Sequence, residues 1–325
     1  MGRLVEPGSL VVVALGGNAF QSKGDRGTVE DYWRNAYTSA EFLSRLVEEG
    51  YKVVVTHGNG PQVGIIAEWM ALGMKHKGTP PMSLDIAGAM TQGWLGYLLQ
   101  QALHNKLVEK KLLPIRVKGV VTVVTQTVVR KDDPAFKDPT KYIGPWYERE
   151  EAEKLAKEHG WVFKPDPRGG YRRVVPSPDP VIQVEIEAIK KLVEAGFIVI
   201  ADGGGGIPVV EEGGGLRGVE AVIDKDLGAE RMATALRADA LLILTDVDYA
   251  YINYGTPEAR PLRVVKASEA LKYYEEGHFK PGSMGPKILA GIRFVRNGGK
   301  VAIVARLDKA YEALMGETGT AILPG

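Results

Sequence analysis

Three times in this chain an apolar, β-branched run passes directly into a glycine-rich turn. Leu10–Leu15 meets Gly16-Gly17-Asn18, Tyr51–Thr56 meets His57-Gly58-Asn59-Gly60-Pro61, and Phe197–Ala201 meets Asp202-Gly203-Gly204-Gly205-Gly206. Apolar runs without polar alternation suit strands buried on both faces, and such strands occur where helices cover both sides of a mainly parallel sheet. The segments between them carry helix signals. Thr28 and Asp31 have capping-box spacing. Val29, Trp33, Ala36, Ala40, Leu43 and Val47 then recur at helical intervals, and Gly50 stops the run.

The same rhythm predicts a loop near Gly73–Pro81, a long helix over Ser83–Lys110, one or two strands within Val117–Val129 and a helix over Val181–Glu194. Further on it predicts a helix over Asp226–Arg237, a strand at Ala240–Thr245, a helix over Met284–Arg296, and strands at Val301–Val304 and Thr320–Leu323. The expected fold is α/β: three α/β/α layers with a mainly parallel central sheet, as one domain over 1–325. Residues 132–179 break the rhythm. Pro134, Pro139, Pro145, Pro165, Pro167, Pro176 and Pro178 fall there, with several aromatics and a short helix near Glu148–His159. This stretch is expected to leave the sheet as a small protruding flap or subdomain.

Several classes are excluded early. Lys+Arg is 41 and Asp+Glu 40, so a net charge of +1 gives no electrostatic footprint for nucleic acid or a membrane surface. There is no cysteine, hence no disulfide, zinc–thiolate site or cysteine nucleophile. The Ser9–Leu15 run is far shorter than the roughly 20 residues of a membrane helix, and cytoplasm is the expected compartment. No Gly-x-x-x-x-Gly-Lys-Ser/Thr or Gly-x-Ser-x-Gly occurs, and the Gly58-Asn59-Gly60 loop, with its next glycine at Gly64, misses the Gly-x-Gly-x-x-Gly spacing, which weakens P-loop, serine-hydrolase and dinucleotide-binding readings. Five scattered histidines lack metal-ligand spacing, so no metal is assigned to protein ligands alone.

What remains is an anion site. In an open α/β sheet ligands sit beyond the carboxyl ends of strands. Glycines there let backbone N–H groups approach a phosphate or carboxylate, and a following helix N-terminus favours the same charge. Asp224-Lys225-Asp226 opens a helix after Val222-Ile223, which reads as a short strand. In Gly282-Ser283-Met284-Gly285-Pro286-Lys287, Ser283 suits the cap and Pro286 the first turn. Lys287 then lies near a helix N-terminus, a poor place for a cation unless an anion shares it.

Taken together, these residues resemble the amino acid kinase superfamily, and within it the carbamate kinase family. The resemblance rests on Ala14–Ala19, Thr56–Gly64, Asp132–Phe136, Arg172–Pro178, Asp202–Val209, Ala221–Asp226, Leu244–Val247 and Gly282–Lys287, in order along nearly the whole chain. Tyr142 and Trp146 depart from it, where a Pro and a Phe are expected, and this touches flap packing.

The resemblance implies reversible phosphoryl transfer: MgATP and carbamate give MgADP and carbamoyl phosphate. The attacking oxygen is carboxylate-like and already ionised, so no general base is required. The resemblance assigns Lys131, Lys225 and Lys287 to the phosphoryl groups, with Lys141 a competitor for Lys131, and Asp226 to orienting the lysines. Gly16, Gly17 and Asn18, with Gly203 and Gly204, would cradle the transferred phosphoryl group. Gly58, Asn59 and Gly60 would hold the acceptor. Asp246, Val247, Tyr251 and Met284 would line the nucleotide site. It also implies Mg²⁺ carried with ATP or ADP, a homodimer, an acceptor half over about 1–200 and a nucleotide half over about 201–325. Two other readings compete: a kinase of another small carboxylate such as N-acetylglutamate, and a non-catalytic nucleotide- or amino-acid-binding regulator.

Overall fold

The structure is a computed structural model and describes residues 2–22, 24–166 and 169–325. The chain begins with β1 (Leu10–Leu15) and α1 (Val29–Glu48). The Thr28 hydroxyl accepts from the Asp31 N–H, and the Asp31 carboxylate accepts from the Thr28 N–H, so the expected capping box closes. The buried stripe of α1 runs through Tyr32, Ala36, Ala40, Leu43 and Val47. Val29, expected on that stripe, is exposed, and Trp33 only packs at its margin. β2 (Lys52–His57) leads into α2 (Gly60–Lys77), with Pro61 in its first turn. This helix runs past the loop expected from Gly73 and stops at Gly78, whose φ of 66° suits glycine. α3 (Leu84–Glu109) follows.

β3 (Gly119–Thr122) and β4 (Gln126–Val129) divide the Val117–Val129 run between two sheets. β5 (Lys141–Tyr147), α4 (Arg149–His159), β6 (Val162–Pro165) and β7 (Tyr171–Val175) form the excursion, a separate antiparallel sheet of order β5-β7-β6 with one helix. The helix expected over Val181–Glu194 is in fact two elements, β8 (Pro180–Gln183) and α5 (Ile186–Glu194). Pro180 biases the residue before it toward extended backbone, and β-branched Val181 and Ile182 continue that geometry against β4.

β9 (Phe197–Ile200) is followed by the hairpin β10 (Ile207–Glu212) and β11 (Gly215–Gly218). Val222 and Ile223 are not a strand. Val222 N–H donates to Pro176 O, and Ile223 is buried with Val129 and Val210. Then come α6 (Lys225–Ala235), β12 (Ala240–Thr245), β13 (Ala250–Ile252), β14 (Arg260–Leu262), β15 (Val264–Lys266) and α7 (Ala267–Glu275). The chain closes with α8 (Met284–Arg296), β16 (Val301–Arg306), α9 (Ala310–Leu314) and β17 (Thr320–Leu323).

The main sheet has eight strands in the order β15-β17-β16-β12-β1-β2-β9-β3. All neighbours are parallel except β16 and β17. Strand periodicity sorts the core. Val11, Val13 and Leu15 join Leu43, Leu99, Leu103 and Leu107 of α1 and α3 on one face. Val12 and Ala14 join Met232, Ile288 and Ile292 of α6 and α8 on the other. Each fully buried Leu or Ile of this kind stabilises the fold by about 1.5–3 kcal/mol. A second sheet, β11-β10-β4-β8, lies outside the main one. The central strands β12, β1, β2 and β9 are mutually parallel, so their carboxyl ends share one edge. Among the described residues no helix is long and apolar enough to cross a membrane.

Candidate active site

All three glycine turns leave that shared edge, and they meet. Gly58 N–H donates to Leu15 O at the end of β1. A Cβ at Gly58 would stand 3.2 Å from Cδ of Lys225 and 3.5 Å from the Gly17 nitrogen. Gly204, at φ 70°, has no room for a Cβ because the Asn59 side chain occupies that space. The Gly16-Gly17-Asn18 backbone, Gly58-Asn59-Gly60 and Gly203–Gly206 therefore bound one cleft. Asn59 Nδ2 donates to Thr91 Oγ1 at 2.8 Å, and Gln92 Nε2 donates to Gly203 O at 3.0 Å, so α3 fixes two of the turns.

The charged part of the cleft is built on α6 and α8. Asp224 caps α6 by accepting from the Asp226 N–H. Asp226 is buried, and its two oxygens accept from two lysines: Lys225 Nζ on Oδ1 and Lys287 Nζ on Oδ2, the latter at 2.8 Å. Burial works against an ionised Asp226, but the two ammonium groups outweigh it and hold its carboxyl below the usual carboxylate range. Burial lowers Lys225 from its ordinary value, and Lys287 adds to that, although Asp226 opposes both. Lys225 and Lys287 stand near the N-termini of α6 and α8, where the helix field disfavours cations. Asp226 offsets part of that cost. The remaining positive field suits an anion. Ser283 makes no side-chain cap on α8, contrary to expectation.

Lys287 also borders a second space. A cleft of about 240 Å³ opens between the end of β12, β13 and the start of α8. Asp246, Val247, Tyr251 and Met284 all line it, together with Lys287. Tyr254, His278, Phe279 and Lys280 also line it, and the sequence reading does not single them out. His278-Phe279-Lys280 sits just before the Gly282–Lys287 motif, which was the available signal.

Lys131 is not brought to this cluster. Its Nζ pairs with Glu212 at 2.6 Å on the exposed end of β10. Lys141, its competitor, lies at the start of β5 with Nζ 3.5 Å from the other oxygen of the capping Asp224. His57 is buried beneath the second turn, edge-on to Phe20, and burial pushes its imidazole down to about 4. It is neutral at ordinary pH and turned into the core.

The amino acid kinase family is matched over residues 9–306, and the chain belongs to that family. Within it, the likeness is to carbamate kinases. That of Pyrococcus horikoshii is 56% identical over 314 residues, covering 97% of this chain and 99% of its own. That of Pyrococcus furiosus is 55% identical, covering 98% of this chain and 100% of its own. The structure of a carbamate kinase from Giardia lamblia bound to AMP-PNP matches with a TM-score of 0.91 at 41% identity, over 98% of this chain and 99% of that one.

Proposed function

We propose that this enzyme is a carbamate kinase: it moves a phosphoryl group reversibly between MgATP and carbamate, giving MgADP and carbamoyl phosphate. One observation carries the reading. Lys225 and Lys287 converge on a single buried carboxylate at the junction of the cleft lined by Tyr251 and Met284 and the three glycine turns. The acceptor oxygen is already an anion, so the obstacle is bringing it against a polyphosphate. Positioning and charge neutralisation are the suitable tools. No base is needed, and the buried, neutral His57 is not one.

In this reading Asp246, Val247, Tyr251 and Met284 hold the nucleotide. Gly16, Gly17, Asn18, Gly203 and Gly204 surround the transferred phosphoryl group, and Gly58, Asn59 and Gly60 hold carbamate. Lys225 and Lys287 meet the charge that shifts between leaving and attacking oxygens, and Asp226 orients both. Lys141, beside Asp224, replaces Lys131 as the third cation. Mg²⁺ belongs to the nucleotide substrate. Among the described residues no three His, Asp or Glu side chains converge as a cage, and both Asp226 oxygens already serve lysines. A homodimer in the cytoplasm is the assembly and compartment proposed with this reading.

The test is turnover in both directions: ATP from ADP and carbamoyl phosphate, and ADP from ATP and carbamate, with N-acetylglutamate as a rival acceptor. Carbamate turnover without N-acetylglutamate turnover is expected. The opposite preference, or binding without turnover, overturns the proposal.

A further inference from the structure

Asp202 stands at the head of the tetraglycine turn and is given no part in the chemistry above. It is fully buried and holds a left-handed backbone, φ 56° and ψ 30°, which a non-glycine residue rarely adopts. Its backbone is pinned on both sides. Asp202 N–H donates to Thr125 Oγ1 at 3.0 Å, and Asp202 O accepts from Thr56 Oγ1 at 2.8 Å and from Gly205 N–H at 2.9 Å. Oδ1 of its carboxyl accepts from Thr127 Oγ1 of β4 at 3.0 Å and from Gln183 Nε2 of β8 at 3.2 Å. The same Gln183 Nε2 donates to Gly228 O in α6 at 3.0 Å. Oδ2 is buried against Gly228 and has no hydrogen-bond partner among the described residues. The carboxyl is thus a knot between the turn, β4, β8 and the helix that begins with Lys225 and Asp226.

We propose that Asp202 is a positioning residue for phosphoryl transfer: its carboxyl locks the tetraglycine turn against the first turns of α6, so that the turn's backbone and Lys225 face one phosphoryl group. This rests on the phosphoryl-transfer reading above. The neutral carboxylic acid is the form that fits the place. Burial pushes this carboxyl up to about 7, and the hydrogen bonds from Gln183 and Thr127 offset only part of that. No cation faces it. β4 and β8 carry no charged residue, β2 carries Lys52 and His57, α3 carries Asp85, His104, Lys106 and Glu109, and α6 carries Lys225, Asp226, Glu230 and Arg231. Both partners of the Asp202 carboxyl are uncharged. Ionisation would place an uncompensated anion beneath a turn that receives phosphoryl oxygens, and would loosen the knot.

The test is steady-state kinetics with ADP and carbamoyl phosphate across neutral pH for the wild type, Asp202→Ala and Asp202→Asn, with a thermal melt of each. Asp202→Asn keeps an acceptor for Thr127 and Gln183 but cannot ionise. Asp202→Ala is expected to lower kcat about tenfold or more while KM for ADP moves less than about threefold. Asp202→Asn is expected to stay within about threefold of the wild-type kcat at pH near 6 and to fall less above neutrality than the wild type does. Burial also lowers Lys225 from its ordinary value, so the difference between Asp202→Asn and the wild type carries the test. If Asp202→Ala does not fold, Asp202→Asn decides alone. Wild-type kcat in Asp202→Ala, or an Asp202→Asn profile that tracks the wild type, overturns the proposal. A wild type without turnover overturns the phosphoryl-transfer reading, and this one with it.

Discussion

At the scale of single residues, two lysines share one buried carboxylate. Asp226 has no further oxygen to spare, so Lys225→Ala or Lys287→Ala removes a cation and leaves half of a buried anion uncovered. Each variant is expected to lose about 2.7–4 kcal/mol of transition-state stabilisation, or roughly 10²–10³ in kcat, with the melt showing a folded protein. Wild-type turnover in either would remove that lysine from the mechanism. The third cation is settled by comparing Lys141→Ala with Lys131→Ala. The exposed Lys131–Glu212 pair is worth little, so Lys131→Ala should change kcat less than about twofold, whereas Lys141→Ala should cost about tenfold. Two other buried groups contribute opposing slopes to the pH dependence of stability. His57 falls from 6.5 to about 4, so the fold favours its neutral form; its contribution is complete above pH 6.5 and is lost as pH falls toward 4. Asp202 rises from 3.8 to about 7, so the fold favours its protonated form; its contribution is complete below pH 3.8 and is lost as pH rises toward 7. Each slope is about 1.4 kcal/mol per pH unit, and between roughly pH 4 and 6.5 the two oppose. Asp202→Asn should therefore gain stability relative to the wild type as pH rises through this window, read from urea unfolding at several pH values. A constant difference would show that Asp202 is ionised throughout.

Elements differ in how plainly they announce themselves. β1 and β12 are buried on both faces, so their apolar runs have only one reading, and α1 carries its own start signal in Thr28 and Asp31. Legibility fails where one face is wet or the partner is remote. β10 opens on the buried apolar run Ile207-Pro208-Val209-Val210, but it turns through Gly213-Gly214 into β11, Gly215-Leu216-Arg217-Gly218, which is largely exposed and has no apolar run to mark it. β8 escapes because Val181, Ile182 and Val184 merge with the helical spacing of Ile186 and Ile189, and only its pairing with β4 separates strand from helix. At the site the glycine turns and the Asp224-Lys225-Asp226 triplet are local and legible. The approach of Lys141 to Asp224, 83 residues away, is not, and that contact distinguishes Lys141 from Lys131. α3 supplies a test at this scale. Gly96 lets the helix lie on β3, where its carbonyl accepts from Thr122 Oγ1, and a Cβ there would collide with the Thr122 side chain. Gly96→Val should cost about 1–3 kcal/mol in urea unfolding by pushing α3 from the sheet. Because Thr91 and Gln92 of that helix hold Asn59 and Gly203, KM for the acceptor should rise too. An unchanged KM would show that the helix seats these turns independently of its packing.

The whole molecule sets a small three-stranded sheet beside a large two-sided one; β5 packs on α2, and several polar links tie the excursion to the segments around the site. Lys141 reaches Asp224, Arg173 pairs with Glu220 at 2.5 Å, Pro176 O accepts from Val222 N–H, and Asp179 pairs with Arg293 of α8 at 2.6 Å. Each joins the excursion to the segment that carries Lys225 and Asp226 or to the helix that carries Lys287. Carbamate has few atoms with which to orient itself, and both it and carbamoyl phosphate are labile in water. A cover over the acceptor side serves both needs. Lys141 and Val175 are direct cross-strand partners, so residues 142–174 can be replaced by a short turn without separating the ends. In that variant KM for carbamoyl phosphate should rise at least about tenfold, and KM for ADP by less than about threefold, because the cleft proposed for the nucleotide is walled by β12, β13 and α8 instead. Circular dichroism and a melt establish that the main sheet persists. Equal effects on both substrates, or none, would make the excursion a structural or assembly feature and end its role as a cover.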